Sequence, residues 1–522
     1  MKLSELLAGV ANADVVGPAD VDVTEVRDDS RAVATGDLFA AVPGVAANGM
    51  AFVTDAIARG ARVLLVEGDG VPEGSAFAGT IVRVPSVRRA LGIIAANRHA
   101  VSGQVPLTLT AVTGTNGKTT TTYLLEAMLH AAGLRAGVVG TISYRVAGAG
   151  TPGFSRPAPL TTPGALALHA LFADMRAAGA GDVVLEASSH ALDQGRLEGC
   201  RFRVAGLTNL TQDHLDYHGT MAAYLDAKAI LFERLLDSGS GVAVLPVDRP
   251  EGVAMRARVR GRSVLGVATR PQPGADVAPL AVESSSAGFR LRLATPDGPL
   301  EIVSPLIGEF NLANLVLAVG MGLARGLSRD AIAAGLAGLG GVPGRLERVP
   351  NSRGVLCAVD YAHTPDAVER AIAALRPLVA PGGRLITLFG CGGDRDRGKR
   401  PLMAAAATRG SALTIVTSDN PRTEDPGSIL AMIVAGIDRA ALAEVDARAL
   451  ASSTRGFCVI PDRRMAIRAA VTAARAGDVV LLAGKGHEDY QIIGNQRCHF
   501  DDREEAAAAF ASATETPGGS PA

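Results

Sequence analysis

Three observations on the chain predict an α/β fold in three domains. Short, nearly all-apolar runs alternate with helical patterns along the 522 residues, the signature of mostly parallel sheets with helices on both faces. One run feeds a small glycine loop and then directly a helix. The alternation also breaks at Gly340-Gly341-Val342-Pro343-Gly344 and then restarts, as a turn-rich domain boundary would make it. The central domain should therefore be a P-loop-type, mostly parallel sheet, and the C-terminal domain Rossmann-like.

In chain order, residues 1–105 form the first segment. Its clearest strand is Ala61–Val66, short and almost entirely apolar, and Ser102-Gly103-Gln104 reads as a linker. The second segment, 106–342, opens with a strand at Leu107–Val112 and a helix at Thr119–Ala132. Further buried-strand patterns lie at Ala136–Gly140, Asp182–Glu186 and Val204–Leu207, with helical patterns at Gly164–Ala178 and Met221–Leu236. Residues 270–300 are richer in Pro, Ser and Gly and read as a hairpin-like excursion. In the third segment, 343–511, strands are expected at Val355–Val359, Arg384–Phe389, Leu413–Thr417 and Asp478–Ala483. Helices are expected at Pro365–Leu375, Pro401–Thr408 and Arg463–Ala474, the first capped by Thr364 with Pro365 in its opening turn. The small, polar tail, 512–522, is expected to be disordered.

Hydrophobic content of 48% permits large cores, and a net charge of −1 gives no electrostatic case for nucleic acid or a membrane surface. Glu5 interrupts the N-terminal apolar stretch, and no run reaches the ~18 apolar residues of a spanning helix. Five scattered cysteines without a CxxC pair suit a reducing cytosol rather than zinc or disulfides. A cytoplasmic protein, monomeric by default, is the expectation.

The chemistry concentrates at strand ends. Gly114-Thr115-Asn116-Gly117-Lys118-Thr119-Thr120 follows an apolar strand and opens a helix, so backbone N–H groups and a helix N-terminus converge where a polyphosphate can sit. Lys118 would reach the β- and γ-phosphates of ATP, and the Thr119 hydroxyl would hold Mg²⁺. Val112 stands where the usual first glycine of such a loop would fall. The plainer alternative is a glycine turn with a surface lysine.

Glu186 closes a strand and could bind Mg²⁺ through oxygen; alternatively it caps the next helix. Asn209 to His218 is a dense polar cluster after another strand, and His214 is the candidate for a second Mg²⁺ contact. Lys228 sits in a helical pattern, where a snorkelling surface lysine is the better reading from pattern alone. Four polar loops follow four strands of the third segment: Asp360 to Thr364, Gly390 to Arg400, Asp419 to Arg422 and Gly484 to Glu488. The second carries four cations and suits an anion, unless it is a self-paired charge cluster. Arg422 in the third could hold a carboxylate in a two-pronged grip. Such ends converge on one crevice in an α/β sheet.

Taken together, these segments resemble the Mur ligases, which add amino acids to the cell-wall precursor. The resemblance spans nearly the whole chain, through Asp29-Ser30-Arg31, Gly114 to Thr120, Thr161-Thr162-Pro163, Glu186 to His190, Asn209 to Gly219, Pro343-Gly344-Arg345, Asp360 to Pro365, Gly390 to Pro401, Asp419 to Arg422 and Gly484 to Glu488. The motif order is most similar to the tripeptide-forming branch. The resemblance implies that Ser30 and the Val45-Ala46-Ala47 loop lie near the uridine end of the substrate. It implies that Thr161, Thr162, Ser188, Gln194 and Arg196 hold a muramoyl dipeptide. Asn311, Arg345, Asp360 and His363 would join the glycine loop around ATP. Lys228 would be carbamylated, its added carboxylate helping Thr119, Glu186 and His214 hold Mg²⁺. Asp419-Asn420-Pro421-Arg422 would select meso-diaminopimelate, with Arg395, Gly484 and Glu488 as further contacts, and a buried, unpaired Arg422 would disfavour lysine.

What the resemblance implies is a ligase of peptidoglycan synthesis that joins meso-diaminopimelate to UDP-N-acetylmuramoyl-L-alanyl-D-glutamate through an acyl phosphate. Closure of the third domain on the second would exclude water from that intermediate. The alternatives are a lysine-adding ligase of the same family, a folylpolyglutamate synthetase-like ligase, and a non-catalytic nucleotide-binding protein.

Overall fold

The computed structural model describes residues 1–44, 48–68, 77–100, 106–147 and 153–514. Loop Val45–Ala47, linker Ser102–Gln104 and tail residues 515–522 lie outside the described residues. The described chain forms two units: Met1–Leu280 with Leu293–Leu300 and Asn314–Leu336, and Ala281–Arg292 with Glu301–Ala313 and Ala337 onward. Both are built on mostly parallel sheets, as the alternation of runs predicts.

The first unit carries two sheets. The smaller runs in the order Asp14–Val16, Thr80–Val84, Val63–Glu67, Leu38–Ala40, Val26–Arg27, parallel except for its first pair. The larger runs Ser263–Val267, Val242–Pro246, Phe202–Leu207, Thr108–Thr113, Asp182–Glu186, Ala136–Val139, Ser143–Val146, Phe154–Pro157. Its first six strands are parallel and its last two antiparallel. Val183, Leu185, Phe202 and Ala205 face a core shared with Leu168, Phe172 and Phe232. Register decides the function of this sheet. Glu186 lies opposite Val112 and Leu207 opposite Thr113, so three adjacent strands end together at one edge.

Within the same unit the helix Val87–Arg98 approaches the turn at Glu198 and Gly199 with almost nothing between them. A Cβ on Gly92 would fall 2.5 Å from Glu198 Cβ, and one on Gly199 would fall 2.5 Å from Gly92 O. Two glycines permit this contact, because any side chain would push the helix away.

In the second unit six strands run Glu347–Val349, Leu356–Asp360, Val479–Ala483, Leu385–Phe389, Leu413–Val416, Gly456–Val459, with only the first pair antiparallel. Apolar cores cover both faces. Asp360 pairs with Ala483 and Phe389 with Val416, so the four polar loops leave one sheet edge. A hairpin, Tyr490–Ile493 with Gln496–His499, follows the last of them. The excursion read at 270–300 is a three-stranded sheet of Ala278–Ser285, Gly288–Ala294 and Leu300–Ser304.

Two local readings need correction. The pattern at Met221–Leu236 is an α-helix only to Ile230, followed by a turn of π-helix over Leu231–Leu235. The last helix, Asp502–Thr514, takes in the first three residues assigned to the tail, because Ala506, Ala509 and Phe510 bury its inner face. Among the described residues no helix is long and apolar enough to cross a membrane.

Candidate active site

The loop after Thr113 is shaped by two glycines in left-handed backbone. Gly114 has φ +141° and Gly117 φ +87°, the latter capping the helix Lys118–Ala131. A Cβ at Gly114 would fall 1.8 Å from Thr208 Oγ1, and one at Gly117 2.3 Å from Asn314 Oδ1. Both conformation and space therefore require glycine. Position 112 needs none, because the strand runs through Thr113 and Val112 is buried within it. The segment Thr208–Thr211 braces the loop: Asn116 N donates to Asn209 Oδ1 (3.0 Å), Thr115 N to Asn209 O (3.0 Å) and Thr208 Oγ1 to Asn116 O (2.6 Å). Asn209 and Thr211 thus shape the loop. Lys118 Nζ folds over it, donating to Gly114 O (2.9 Å) and Thr115 O (2.8 Å).

Glu186 is buried at the adjacent strand end. Its Oε1 accepts from Thr141 N (2.9 Å), and Oε2 accepts from Thr119 Oγ1 (3.1 Å) and Thr141 Oγ1 (3.0 Å). It is not a helix cap. Ser188 caps the helix Ser189–Asp193, accepting from Ala191 N.

Lys228 is fully buried rather than snorkelling. Its Nζ donates to Gly114 O (3.0 Å) and lies 4.3 Å from the centre of the Tyr224 ring. Burial, reinforced by the Lys118 charge, holds this amine well below the ordinary lysine range. Pattern alone misled because Tyr224, Ala227 and Ala229 give the helix an apolar face whose extent depends on packing. His214 stands at φ +52° at the start of the helix Leu215–His218. Its ring meets His190 at 4.9 Å and Tyr224 at 6.1 Å between centres. Burial holds His190, His214 and His218 below the usual imidazole range.

Thr161, Thr162, Ser188, Gln194 and Arg196 form one connected network beside Glu186. Thr161 Oγ1 lies 3.0 Å from Thr141 Oγ1, and Thr162 Oγ1 donates to Glu186 O (2.7 Å). Ser188 N donates to Thr162 Oγ1 (3.2 Å), and Arg196 bonds Thr162 O (2.9 Å) and Gln194 Oε1 (2.7 Å). Ser30 is buried on the smaller sheet's side, in a turn whose preceding Asp29 accepts from Arg31 N. Sequence reading missed Thr141 and Tyr224. For Thr141 the available signal was its place just past a buried strand.

In the second unit, Asn311 is buried and donates to Ile307 O (2.8 Å), and Arg345 lies over the Tyr361 ring (5.2 Å). Asp360 accepts from Leu346 N (2.8 Å), with its carboxyl pushed up by burial. His363 Nδ1 lies 2.8 Å from Tyr361 O, its imidazole held down by burial.

The cation-rich loop is largely self-paired. Arg400 and Arg397 engage Glu424 (2.8 and 3.3 Å), which Arg400 holds at about 2, and Lys399 donates to His363 O. Arg395 remains exposed, donating to Asp394 O (3.2 Å).

Arg422 is half-buried rather than buried and unpaired. It adopts φ +53°, and one guanidinium nitrogen donates to Gly393 O (2.8 Å). Pro421 is buried beside it. Asn420 Nδ2 donates to Glu488 Oε2 (2.9 Å), and a Cβ on Gly484 (φ +116°) would lie 3.8 Å from Asp419 Oδ2. Sequence reading quoted Lys485 within its motif but gave it no role. It is fully buried among these groups.

Residues 22–99 match the model of the Mur ligase family, catalytic domain; 112–322 match the Mur ligase middle domain; 344–486 match the Mur ligase, glutamate ligase domain. The chain is 45% identical over 519 residues to the UDP-N-acetylmuramoyl-L-alanyl-D-glutamate–2,6-diaminopimelate ligase of Geobacter metallireducens, covering 98% of each chain. It is 46% identical over 511 residues to the protein of the same name from Gloeobacter violaceus, again at 98% of each. A solved structure titled as a UDP-N-acetylmuramoyl-L-alanyl-D-glutamate–2,6-diaminopimelate ligase is 35% identical, with a TM-score of 0.71 over 99% of this chain and 100% of that one. With sequence and fold matched along its length, this chain belongs to the Mur ligase family.

Proposed function

We propose that this chain joins meso-diaminopimelate to UDP-N-acetylmuramoyl-L-alanyl-D-glutamate, using ATP and an acyl phosphate, as a cytoplasmic monomer in peptidoglycan precursor synthesis. The observation that carries the reading is one sheet edge holding a glycine-bounded phosphate loop, the buried Glu186 and the buried Lys228. The full-length relatives named for this reaction support the choice of substrates.

The residues present fit ATP and Mg²⁺. Side chains at Gly114 and Gly117 would collide with Thr208 and Asn314, so glycine alone permits the loop its shape. Thr119 and Glu186 offer the oxygen donors that a hard cation prefers, with His214 and a carbamylated Lys228 as further ligands. When bound, Mg²⁺ would neutralise charge on the phosphates as the phosphoryl group transfers. Thr115 and Asn116 shape the loop, their N–H groups held by Asn209, and the first turn of the helix, with Thr120, would turn its N–H groups toward an anion. Lys118 would release its loop carbonyls to reach the phosphates. The depressed Lys228 amine is available in neutral form to combine with CO₂. Thr161, Thr162, Ser188, Gln194 and Arg196 would orient the substrate's glutamyl carboxylate. Ser30 would serve the uridine end. Asn311, Arg345, Asp360 and His363 would serve the nucleotide.

On the second unit, Arg422 would meet the carboxylate that diaminopimelate carries and lysine lacks, with Arg395, Asp419, Asn420, Pro421, Gly484 and Glu488 as the remaining contacts. The test is phosphate release with ATP, Mg²⁺ and the UDP-dipeptide, supplying meso-diaminopimelate or L-lysine. Release and tripeptide with diaminopimelate alone are expected. Preference for lysine would overturn the specificity, and no release with either would overturn the reaction.

A further inference from the structure

Lys485 is completely buried, which an ammonium group tolerates only among partners. Its Nζ lies 3.3 Å from Asn420 Oδ1, 3.5 Å from Asp419 Oδ1 and 3.8 Å from Glu488 Oε2. The rings of Tyr490 and Phe500 lie 5.7 and 6.0 Å from it. The contact with Asn420 fixes an amide orientation. Oδ1 accepts from Lys485 and from Ile492 N (3.0 Å), so the amide nitrogen turns to Glu488 Oε2 (2.9 Å). Gln491 Nε2 holds Asp419 O (2.7 Å) from the same hairpin. Both contacts to Glu488 use Oε2, which leaves Oε1 outside this set of bonds.

We propose that Lys485 is a positioning residue for amino-acid recognition: from beneath the site it holds Asp419, Asn420 and Glu488 in one constellation, so that Glu488 presents a fixed carboxylate oxygen to the ammonium of the incoming amino acid. The inference rests on the ligase reading above. It answers a charge problem that the loop would otherwise have. Two carboxylates, Asp419 and Glu488, share a poorly solvated corner, and like charges there oppose ionisation. Burial and Asp419 push the Glu488 carboxyl up, while Lys485, the Asn420 hydrogen bond and, more weakly, Arg422 pull it down. Arg463, paired with Asp502 at 2.6 Å, feels the same two carboxylates, and burial, with Glu488 and more weakly Asp419, pushes the Tyr361 and Tyr490 phenols up.

Two variants test this on the full chain with ATP, Mg²⁺, the UDP-dipeptide and diaminopimelate. Lys485→Met should raise KM for diaminopimelate by about tenfold, leave KM for ATP within about twofold, and move the acid limb of kcat/KM for diaminopimelate upward by about one pH unit. Asp419→Asn removes the opposing carboxylate and should move that limb downward, whatever it does to KM. A lysine that merely supports the fold would lower thermal stability and turnover without moving the limb. Unmoved limbs in both variants, with the wild-type chain turning over diaminopimelate, would overturn this inference and leave the ligase reading intact. If Lys485→Met does not fold, Lys485→Gln, which keeps a donor toward Asn420 but not the charge, takes its place with the same expected upward shift of the limb. A wild-type chain inactive with diaminopimelate would overturn the ligase reading and this inference with it.

Discussion

Replacing Gly114 by alanine should disable nucleotide binding through a conflict that can be traced to one atom. The added Cβ would lie 1.8 Å from Thr208 Oγ1, with Asn209 O and N at 2.9 and 3.0 Å. Thr208 is buried, and its hydroxyl holds Asn116 O at 2.6 Å, so it must turn away and release the loop. The losses are about 1 kcal/mol for that hydrogen bond, roughly 1–2 kcal/mol for an alanine at positive φ, and about 1–3 kcal/mol for the overlap. Together they come to about 3–6 kcal/mol, shared between folding stability and the loop's shape. Thr208→Ala removes the opposing oxygen. The double variant should therefore be less damaged than the sum of the singles by ~1–3 kcal/mol. Urea unfolding and calorimetric ATP titration of wild type, both singles and the double would measure it. Strict additivity, or an alanine variant that binds ATP normally, would refute the idea that Thr208 sets the shape of the phosphate loop.

Lys118→Ala should reduce phosphate release by ~10²–10³-fold while leaving the thermal unfolding midpoint near wild type; retained turnover would remove Lys118 from the chemistry. Arg422→Ala should raise KM for diaminopimelate by ~10- to 100-fold, the worth of a charge-assisted bond, without conferring use of lysine; initial rates with both amino acids decide it. His169 is buried against Phe172 and held down at about 4 by burial. Because its folded value lies below the unfolded 6.5, its stabilising contribution is present above pH 6.5 and is lost as pH falls toward 4, at up to ~1.4 kcal/mol per pH unit. His169→Phe should flatten denaturant-measured stability across that window, and an unchanged slope would contradict the assignment.

The positions of the chemical groups were largely legible because strand ends announce themselves. An apolar run that stops at a polar residue, as at Glu186 and Asp360, or runs straight into a polar loop, as after Ala483, marks both the end of a strand and one edge of a sheet. Burial was not legible. Lys228 and Lys485 are both completely enclosed, yet neither its neighbours in sequence nor its spacing distinguishes either from a solvated lysine, since the enclosing groups come from distant segments. The charges of the Gly390–Arg400 loop show the same limit, because the carboxylate that absorbs two of them, Glu424, belongs to the next loop. The π-turn at Leu231–Leu235 was hidden for another reason. A wider turn changes hydrogen bonding without disturbing the apolar spacing enough to break a helical pattern.

The bare contact of Gly92 with Glu198 and Gly199 gives the first unit the character of a ruler. Ser30 belongs to the segment of the smaller sheet, which carries Gly92, and the network of Thr162, Ser188 and Arg196 to the segment of the larger sheet, which carries Glu198 and Gly199, all within one unit. In the proposed reading those are the stations for the two ends of a single long substrate. Its length is then measured against a distance fixed in part by the close approach of Gly92 to Glu198 and Gly199. A bulkier residue at position 92 would lengthen the ruler without altering any group that touches the substrate, and discrimination among substrates of different length would shift with it.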